Sequence, residues 1–198
     1  ALTERDREEI RENQENMLEV QLFFSRVSPR WVSDTSDKLY FTATNRDFRR
    51  VDVCLADTST GAAKTLIEER SNVWLSVKPL RLTGNGQELV WWSDRDGWGP
   101  YYLYAGDGKL KNQITSGEYV TDQIVSLDEK TRTLYFTAVG HERGEDPYYV
   151  HLYRIGLDGT GLKLLTPGNS SHAVSAPDSG RYFEDTYSRV DTAPKSVP

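Results

Sequence analysis

One sequence pattern occurs four times, and a repeat of this length restricts the chain to a few architectures. Each copy is a turn followed by a strand-like run with two adjacent aromatic residues. The second aromatic residues are 51, 44 and 47 residues apart, and they are Phe41, Trp92, Phe136 and Phe183. This spacing is typical of the four-stranded blades of a β-propeller.

The second half of the repeat is also strand-like. After each of the first three aromatic pairs there is another strand-like run, then a turn containing glycine, then a run ending in apolar residues. Asp-Gly occurs in two of these turns, at Asp107-Gly108 and at Asp158-Gly159. Both residue types tolerate positive φ, so this dipeptide between two strand-like runs predicts a β-hairpin.

The repeat predicts an all-β chain, a partial β-propeller of about three and a half four-stranded blades with a short N-terminal helix. We assign residues 1–20 to a helical or extended lead-in and residues 21–198 to the blades, with a frayed end from Thr192 to Pro198. An open array of blades exposes strand edges, so we expect the chain to be part of a larger propeller or to form homo-oligomers through these edges.

Composition excludes several classes of function. The 198 residues include 24 Lys and Arg against 30 Asp and Glu, without a basic block, so nucleic-acid binding is not expected. No apolar run reaches the roughly 18 residues of a membrane span. Cys54 is the only cysteine and lies in a strand-like run, where we expect an inert packed thiol.

Candidate sites are few. The run from Trp91 to Tyr102 predicts a strand and a hairpin. The charged stretch 141–147 predicts a solvated hairpin, since no second histidine nearby supports a metal site, and His172 is placed in a polar loop. The sequence contains no Gly-x-Ser-x-Gly, phosphate-binding loop or His-Glu-x-x-His motif, so we predict no catalytic residue, no metal ligand and no cofactor.

Several strings resemble a known family. The chain resembles, over roughly residues 20–198, the N-terminal β-propeller of bacterial serine peptidases of the dipeptidyl peptidase IV type, in the prolyl oligopeptidase superfamily. The strings that carry the resemblance are Asp52–Gly61, Thr65–Asn72, Trp91–Trp98, Gly108–Thr115, 180–183 and Asp185–Thr192. They are more specific than the general blade pattern, but they identify a scaffold and not an active site.

In that family an eight-bladed propeller caps an α/β-hydrolase domain, and the Ser, Asp and His of the triad follow the propeller. The resemblance therefore implies a non-catalytic segment of a dipeptidyl or tripeptidyl peptidase, periplasmic or secreted, that limits access to the active site and helps to bind peptide. Trp74 and Lys78 match a family loop that borders the substrate pocket. Glu68-Glu69 has different flanks from the family's amine-binding pair and is not assigned that role.

Two other functions remain open from the sequence. One is a stand-alone binding module, in which exposed aromatic residues hold a glycan or a cell-envelope partner; its candidate residues are Trp98, Tyr101 and Tyr148. The other is an assembly module that completes its ring by oligomerising.

Overall fold

The computed structural model describes residues 29–176 and 182–198, in which all regular secondary structure is β-strand. The strands form four sheets, and consecutive strands are neighbours within each sheet. The first sheet contains β1 (Arg30–Trp31), β2 (Lys38–Thr44), β3 (Arg50–Asp57) and β4 (Ala63–Arg70), and the second contains β5 (Arg81–Thr83), β6 (Glu88–Trp92), β7 (Tyr101–Ala105) and β8 (Leu110–Gln113). The third contains β9 (Val120–Asp128), β10 (Thr133–Val139), β11 (Val150–Gly156) and β12 (Lys163–Leu164), and the fourth contains β13 (Ser171–Ser175), β14 (Glu184–Arg189) and β15 (Thr192–Val197).

The chain forms two compact units. The first comprises the described residues as far as Trp92 together with Tyr104–Lys111, and the second comprises Ser93–Leu103 and the described residues from Asn112 onward. No helix long and apolar enough to cross a membrane occurs in the described ranges.

The predicted fold class is confirmed: three four-stranded sheets and one three-stranded sheet follow one another along the chain. The aromatic pairs of the first three copies lie in β2, β6 and β10, the second strand of each sheet. In β10, Leu134, Phe136 and Ala138 are completely buried at alternate positions, as expected for a strand with one face in the core. The predicted N-terminal helix lies outside the described residues.

The turn between the third and fourth strands is the same in three sheets. An aspartate carboxylate at the start of the turn accepts a hydrogen bond from the backbone N–H two residues later. The pairs are Asp57 with Ser59 at 3.0 Å, Asp107 with Lys109 at 2.9 Å, and Asp158 with Thr160 at 3.0 Å. This local bond stabilises a turn without using a strand hydrogen bond, so it recurs with the repeat.

Two predictions about the last copy of the repeat were wrong. The aromatic pair Tyr182-Phe183 precedes the second strand of the sheet, because pairing with β13 begins at Glu184. The Phe183 ring packs on Tyr135 instead, with 4.9 Å between the ring centroids. The end of the chain is also not frayed: Thr192–Val197 is β15 and pairs with β14. The pairing accommodates Pro194 because β15 is an edge strand with an irregular register beside that residue.

Side chains connect the first and second sheets within the first unit. Tyr40 is buried in β2, and its phenol donates to the backbone carbonyl of Gly86 at 3.0 Å. In the opposite direction, Nε1 of Trp91 in β6 donates to the Glu69 carboxylate in β4 at 2.8 Å. Because both bonds bury or half-bury their polar atoms, they restrict how the two sheets can pack.

Two glycines allow a turn of one sheet to touch the preceding sheet. A Cβ on Gly108, between β7 and β8, would lie 2.5 Å from the carbonyl oxygen of Leu66 in β4. A Cβ on Gly159, between β11 and β12, would lie 2.8 Å from the carbonyl oxygen of Gln113 in β8. The first contact lies within the first unit and the second within the second unit. At these turns the approach of neighbouring sheets therefore depends on the absence of a side chain.

We expect Gly108→Ala and Gly159→Ala to destabilise the chain more than alanine at left-handed glycines whose Cβ position is open. Gly97 and Gly161 are matched controls, since their φ values are +83° and +72° and a Cβ there would have no atom within 4 Å. The control substitutions should cost about 1 to 2 kcal/mol through backbone strain alone. The contact substitutions should cost about 1 to 3 kcal/mol more, because the turn must move away from the neighbouring sheet.

Urea unfolding of the four variants measures these differences. Equal losses in all four would show that the close approach of the turns does not contribute to stability.

Candidate functional site

The segment from Ser71 to Leu80 connects β4 to β5 and carries both predicted substrate-binding residues. Leu75 and Leu80 are buried, which anchors the middle and the end of the segment. Trp74 lies between the strand end and the first anchor, and 63% of its surface is exposed. The segment therefore presents a large aromatic ring to solvent from a backbone that is fixed by its apolar neighbours.

Trp74 stacks on Phe48, a residue that the sequence analysis did not single out. The ring centroids are 4.2 Å apart and the ring planes differ by 17°. Phe48 lies in the turn between β2 and β3 with φ of +53°, and its carbonyl accepts the backbone N–H of Leu75 at 2.7 Å. A ring contact and a backbone bond thus join this turn to the segment that carries Trp74.

Lys78 contacts a different aromatic ring. Its ammonium lies 4.8 Å from the centroid of the Trp92 ring, within the range of a cation–π interaction. Trp92 itself is buried at the end of β6. The two predicted residues therefore lie on the same segment. Trp74 presents an exposed ring to solvent, whereas the charge of Lys78 contacts the buried ring of Trp92. Their role in binding substrate stays a prediction.

The three aromatic residues proposed for glycan binding differ in exposure. Tyr148 and Trp98 are 83% and 41% exposed. Tyr101 is buried, and its phenol donates to the backbone carbonyl of Asp122 at 3.2 Å. The expectation that Tyr101 is exposed was wrong, because the first four residues of β7 are all buried and the strand leaves no open face there.

The charged stretch 141–147 is not simply a solvated hairpin. The buried phenol of Tyr153 donates to Oε1 of Glu142 at 2.9 Å, and Nδ1 of His141 lies 2.8 Å from the same oxygen. Burial by itself raises the pKa of Glu142, but the hydrogen bonds from His141 and Tyr153 outweigh it and hold the pKa below its ordinary value. Glu142 therefore stays charged while it caps a buried tyrosine.

The same stretch supplies a carboxylate to a buried histidine. Nε2 of His151, in β11, lies 3.0 Å from the Glu145 carboxylate, and Nδ1 lies 2.9 Å from the carbonyl oxygen of Thr166. The spacing along the sequence gave no indication of this pair, because β11 and the loop meet only when the hairpin closes.

His172 was predicted to lie in a polar loop, and this was wrong. It lies in β13 with 4% of its side chain exposed, and its Nδ1 is 2.8 Å from the carboxylate of Asp185 in β14. The ring centroids of His172 and His151 are 5.1 Å apart, so the pair forms a contact between the third and fourth sheets. In residues 29–176 and 182–198, no three His, Cys, Asp or Glu side chains are arranged to hold a metal ion.

Comparison with known proteins identifies relatives along most of the chain. The family model of the dipeptidyl peptidase IV (DPP IV) N-terminal region matches residues 17–194. A probable dipeptidyl peptidase 4 of Emericella nidulans is 29% identical over 135 residues, which are 63% of this chain and 18% of the relative. A probable dipeptidyl peptidase 4 of Aspergillus flavus is 25% identical over 172 residues, 81% of this chain and 22% of the relative. The chain thus spans about a fifth of these relatives.

Solved structures show the same fold. The crystal structure of Porphyromonas gingivalis dipeptidyl peptidase 4 superposes with a TM-score of 0.68 at 20% identity, over 79% of this chain and 22% of that one. A putative dipeptidyl aminopeptidase IV from Bacteroides ovatus superposes with a TM-score of 0.68 at 22% identity, over 82% of this chain and 26% of that one.

We expect Tyr119 to make the folded chain sensitive to alkali. Burial raises the pKa of its phenol from 10.0 to about 12, against a smaller opposing effect of the Ser116 backbone. Because folding raises this pKa, the stabilisation is complete below about pH 10 and is lost as the pH rises through about 12. From about pH 8 to about pH 11, the free energy of unfolding should therefore fall less in Tyr119→Phe than in the unmodified chain.

Urea unfolding at the two pH values measures this difference. Tyr148→Phe is the control, since the side chain is 83% exposed and its loss should leave the alkaline fall unchanged. The same fall in Tyr119→Phe as in the unmodified chain would contradict the prediction.

Proposed function

Because the chain belongs to the family of dipeptidyl peptidase IV N-terminal regions, we propose that it is the non-catalytic β-propeller part of a serine exopeptidase, dipeptidyl or tripeptidyl. The observation that carries the proposal is the family match over residues 17–194, on a chain whose described residues form successive blade-type sheets. In this proposal the Ser, His and Asp that cleave the peptide belong to an α/β-hydrolase domain outside these 198 residues.

The propeller contributes through access and binding. In this proposal it limits access to the active site, so that an extended peptide end enters and a folded protein does not. Contacts away from the scissile bond add binding free energy that helps to orient the peptide. Trp74 suits such a contact, because its exposed indole is held on a buried anchor, and Lys78 adds a positive charge on the same segment.

Location and partners follow from the same proposal. We place the protein in the periplasm or outside the cell, with peptide as its partner and without nucleic-acid binding or a membrane span in this chain. We also propose self-association through sheet edges. The edge strand β15 supports this, since five of its six residues are exposed.

The competing proposal is a stand-alone module that binds a glycan or cell-envelope partner. The exposure of Tyr148 and Trp98 favours it, although the burial of Tyr101 removes the third proposed contact. Binding in a glycan screen that is lost in Tyr148→Ala and Trp98→Ala would support this alternative over the peptidase proposal.

We expect the chain alone to release no p-nitroaniline from Gly-Pro-p-nitroanilide, whereas the full-length polypeptide that contains it does. Within that polypeptide, Lys78→Ala should raise KM and leave kcat nearly unchanged, because Lys78 contributes binding and not chemistry. Tyr182→Ala is the control, since it removes an aromatic ring that is 59% exposed elsewhere on the chain. Hydrolysis by the chain alone that a serine-directed inhibitor abolishes would contradict the proposal.

The self-association proposal predicts a solution mass above that of one chain. Light scattering over a range of protein concentrations should show the mass rising with concentration, because paired edges form by mass action. Val197→Lys should reduce the association, since Val197 is exposed on this edge strand and a charged side chain there disfavours pairing with a second edge. A monomer at every concentration would contradict it.

A further inference from the structure

The imidazole of His151 faces two hydrogen-bond acceptors. Its Nδ1 lies 2.9 Å from the carbonyl oxygen of Thr166, and its Nε2 lies 3.0 Å from the Glu145 carboxylate. A carbonyl oxygen accepts and never donates, so Nδ1 carries a proton and donates it to Thr166. The contact with Glu145 then requires a second proton, and the imidazole, which is the stronger base of the two groups, holds it on Nε2. Both contacts of His151 therefore exist together only when the ring is doubly protonated.

Burial makes the second proton decisive for this contact. Only 3% of the His151 side chain and 21% of the Glu145 side chain are exposed. If Nε2 loses its proton, its lone pair faces a negatively charged carboxylate, and the buried ring has little access to water as a substitute donor. The deprotonated pair is therefore relieved when the carboxylate moves away, and this carboxylate belongs to the charged stretch 141–147, here called the 141–147 loop.

The neighbouring histidine is suited to a single proton. Nδ1 of His172, in β13, lies 2.8 Å from the Asp185 carboxylate in β14, and this carboxylate accepts its proton. Among the described residues, Nε2 of His172 is buried without a hydrogen-bond partner. A second proton would leave this nitrogen as a buried N–H without an acceptor, in a ring whose centroid is 5.1 Å from that of His151. The Tyr187 ring packs on His172 with 5.7 Å between centroids. On the side of β13 and β14, the geometry thus places the charge on His151.

The loop has another attachment, which keeps its charge state when histidines titrate. Tyr153, in β11, has its ring centroid 6.5 Å from that of His151, and its phenol donates to Glu142. Burial, followed by the bond to Glu142, raises the pKa of Tyr153 well above its ordinary value, so the phenol remains protonated. His141, whose side chain is 37% exposed, contacts Glu142 and not Glu145. Of the two attachments, only the one between His151 and Glu145 depends on a histidine proton in the buried interior.

We propose that the contact between His151 and Glu145 is a pH-sensitive attachment of the 141–147 loop, which forms at mildly acidic pH and is released as the pH rises. The attached loop holds a proton that the released loop gives up more readily, so raising the pH favours release. The range of the change is that of histidine, about pH 5 to 8. This inference concerns a conformational change of the third sheet and does not depend on the proposed peptidase function.

Limited proteolysis by trypsin measures the release of the loop. Arg143 is exposed within the loop, and trypsin cleaves after it only when the loop leaves the sheet. Glu145→Gln keeps the contact with or without the proton, because an amide either accepts from Nε2 or donates to it. Glu145→Ala removes the contact. Glu129→Gln is the matched control, since it makes the same change of charge at an exposed residue in the turn between β9 and β10.

The quantity compared is the initial rate at which the fragment ending at Arg143 appears in the full chain, at about pH 6 and about pH 8.5, on either side of the histidine range. Each rate is divided by that of Glu145→Gln at the same pH, which cancels the pH dependence of trypsin itself. At the lower pH the unmodified chain should be cleaved no faster than Glu145→Gln. At the higher pH it should be cleaved about tenfold faster, which is the effect of losing one hydrogen bond to a charged group.

The other variants determine whether this contact causes the change. Glu129→Gln should show the same rise with pH as the unmodified chain, and Glu145→Ala should be cleaved rapidly at both pH values. A relative rate that is the same at both pH values in the unmodified chain would overturn the inference. A rise in Glu145→Ala as large as in the unmodified chain, or the loss of the rise in Glu129→Gln, would also overturn it, since the change would then come from other charges.

Nitrogen chemical shifts of the His151 ring give a second readout, because they distinguish a doubly protonated ring from a neutral one. In the unmodified chain the ring should be doubly protonated at about pH 6 and lose one proton over the same pH range in which cleavage increases. A neutral His151 ring at the lower pH, in a chain whose loop resists cleavage, would overturn the inference.

Discussion

The close approach of consecutive sheets is the constraint on which the rest of the structure depends. A β-sheet that is apolar on both faces cannot remain exposed, and β6, buried at all five positions, shows how completely these faces are covered. Each face is covered by the next sheet along the chain, and that sheet must approach until one of its turns contacts the backbone of the preceding sheet. Gly108 and Gly159 make this possible, because any side chain there would collide with a carbonyl oxygen of the preceding sheet.

Polar contacts between and beside the sheets add specificity to this packing. The carboxylates of Glu142 and Glu145 bind Tyr153 and His151, which are buried, so a charged loop closes over the third sheet. Each such group would be costly to bury alone, and each is satisfied only in one arrangement of its strands. The charged stretch 141–147, for which the sequence predicts a solvated hairpin, thus helps to fix the register of that hairpin.

The ring of Trp74 is exposed, unlike the buried rings and polar groups described above. The sheets bury most of their large apolar rings, whereas this segment keeps one in solvent and holds it with a strained turn and two buried leucines. Packing alone does not require an exposed ring at this position. This contrast is the reason that the proposed function places substrate contact there, on a scaffold whose rigidity comes from the sheets and not from the segment itself.

The sequence by itself determined the all-β class, the second, third and fourth strands of the first three sheets and the two Asp-Gly turns with positive φ, because these depend on local residue preference. It did not reveal β5, whose three residues carry little periodicity, or the late start of β14, since strand register depends on a partner strand. It also indicated Trp74 and Lys78 through resemblance. Only the tertiary structure decided that Phe48 lies beneath Trp74 and that His172 meets Asp185, because residues distant in sequence come together only when the strands pair.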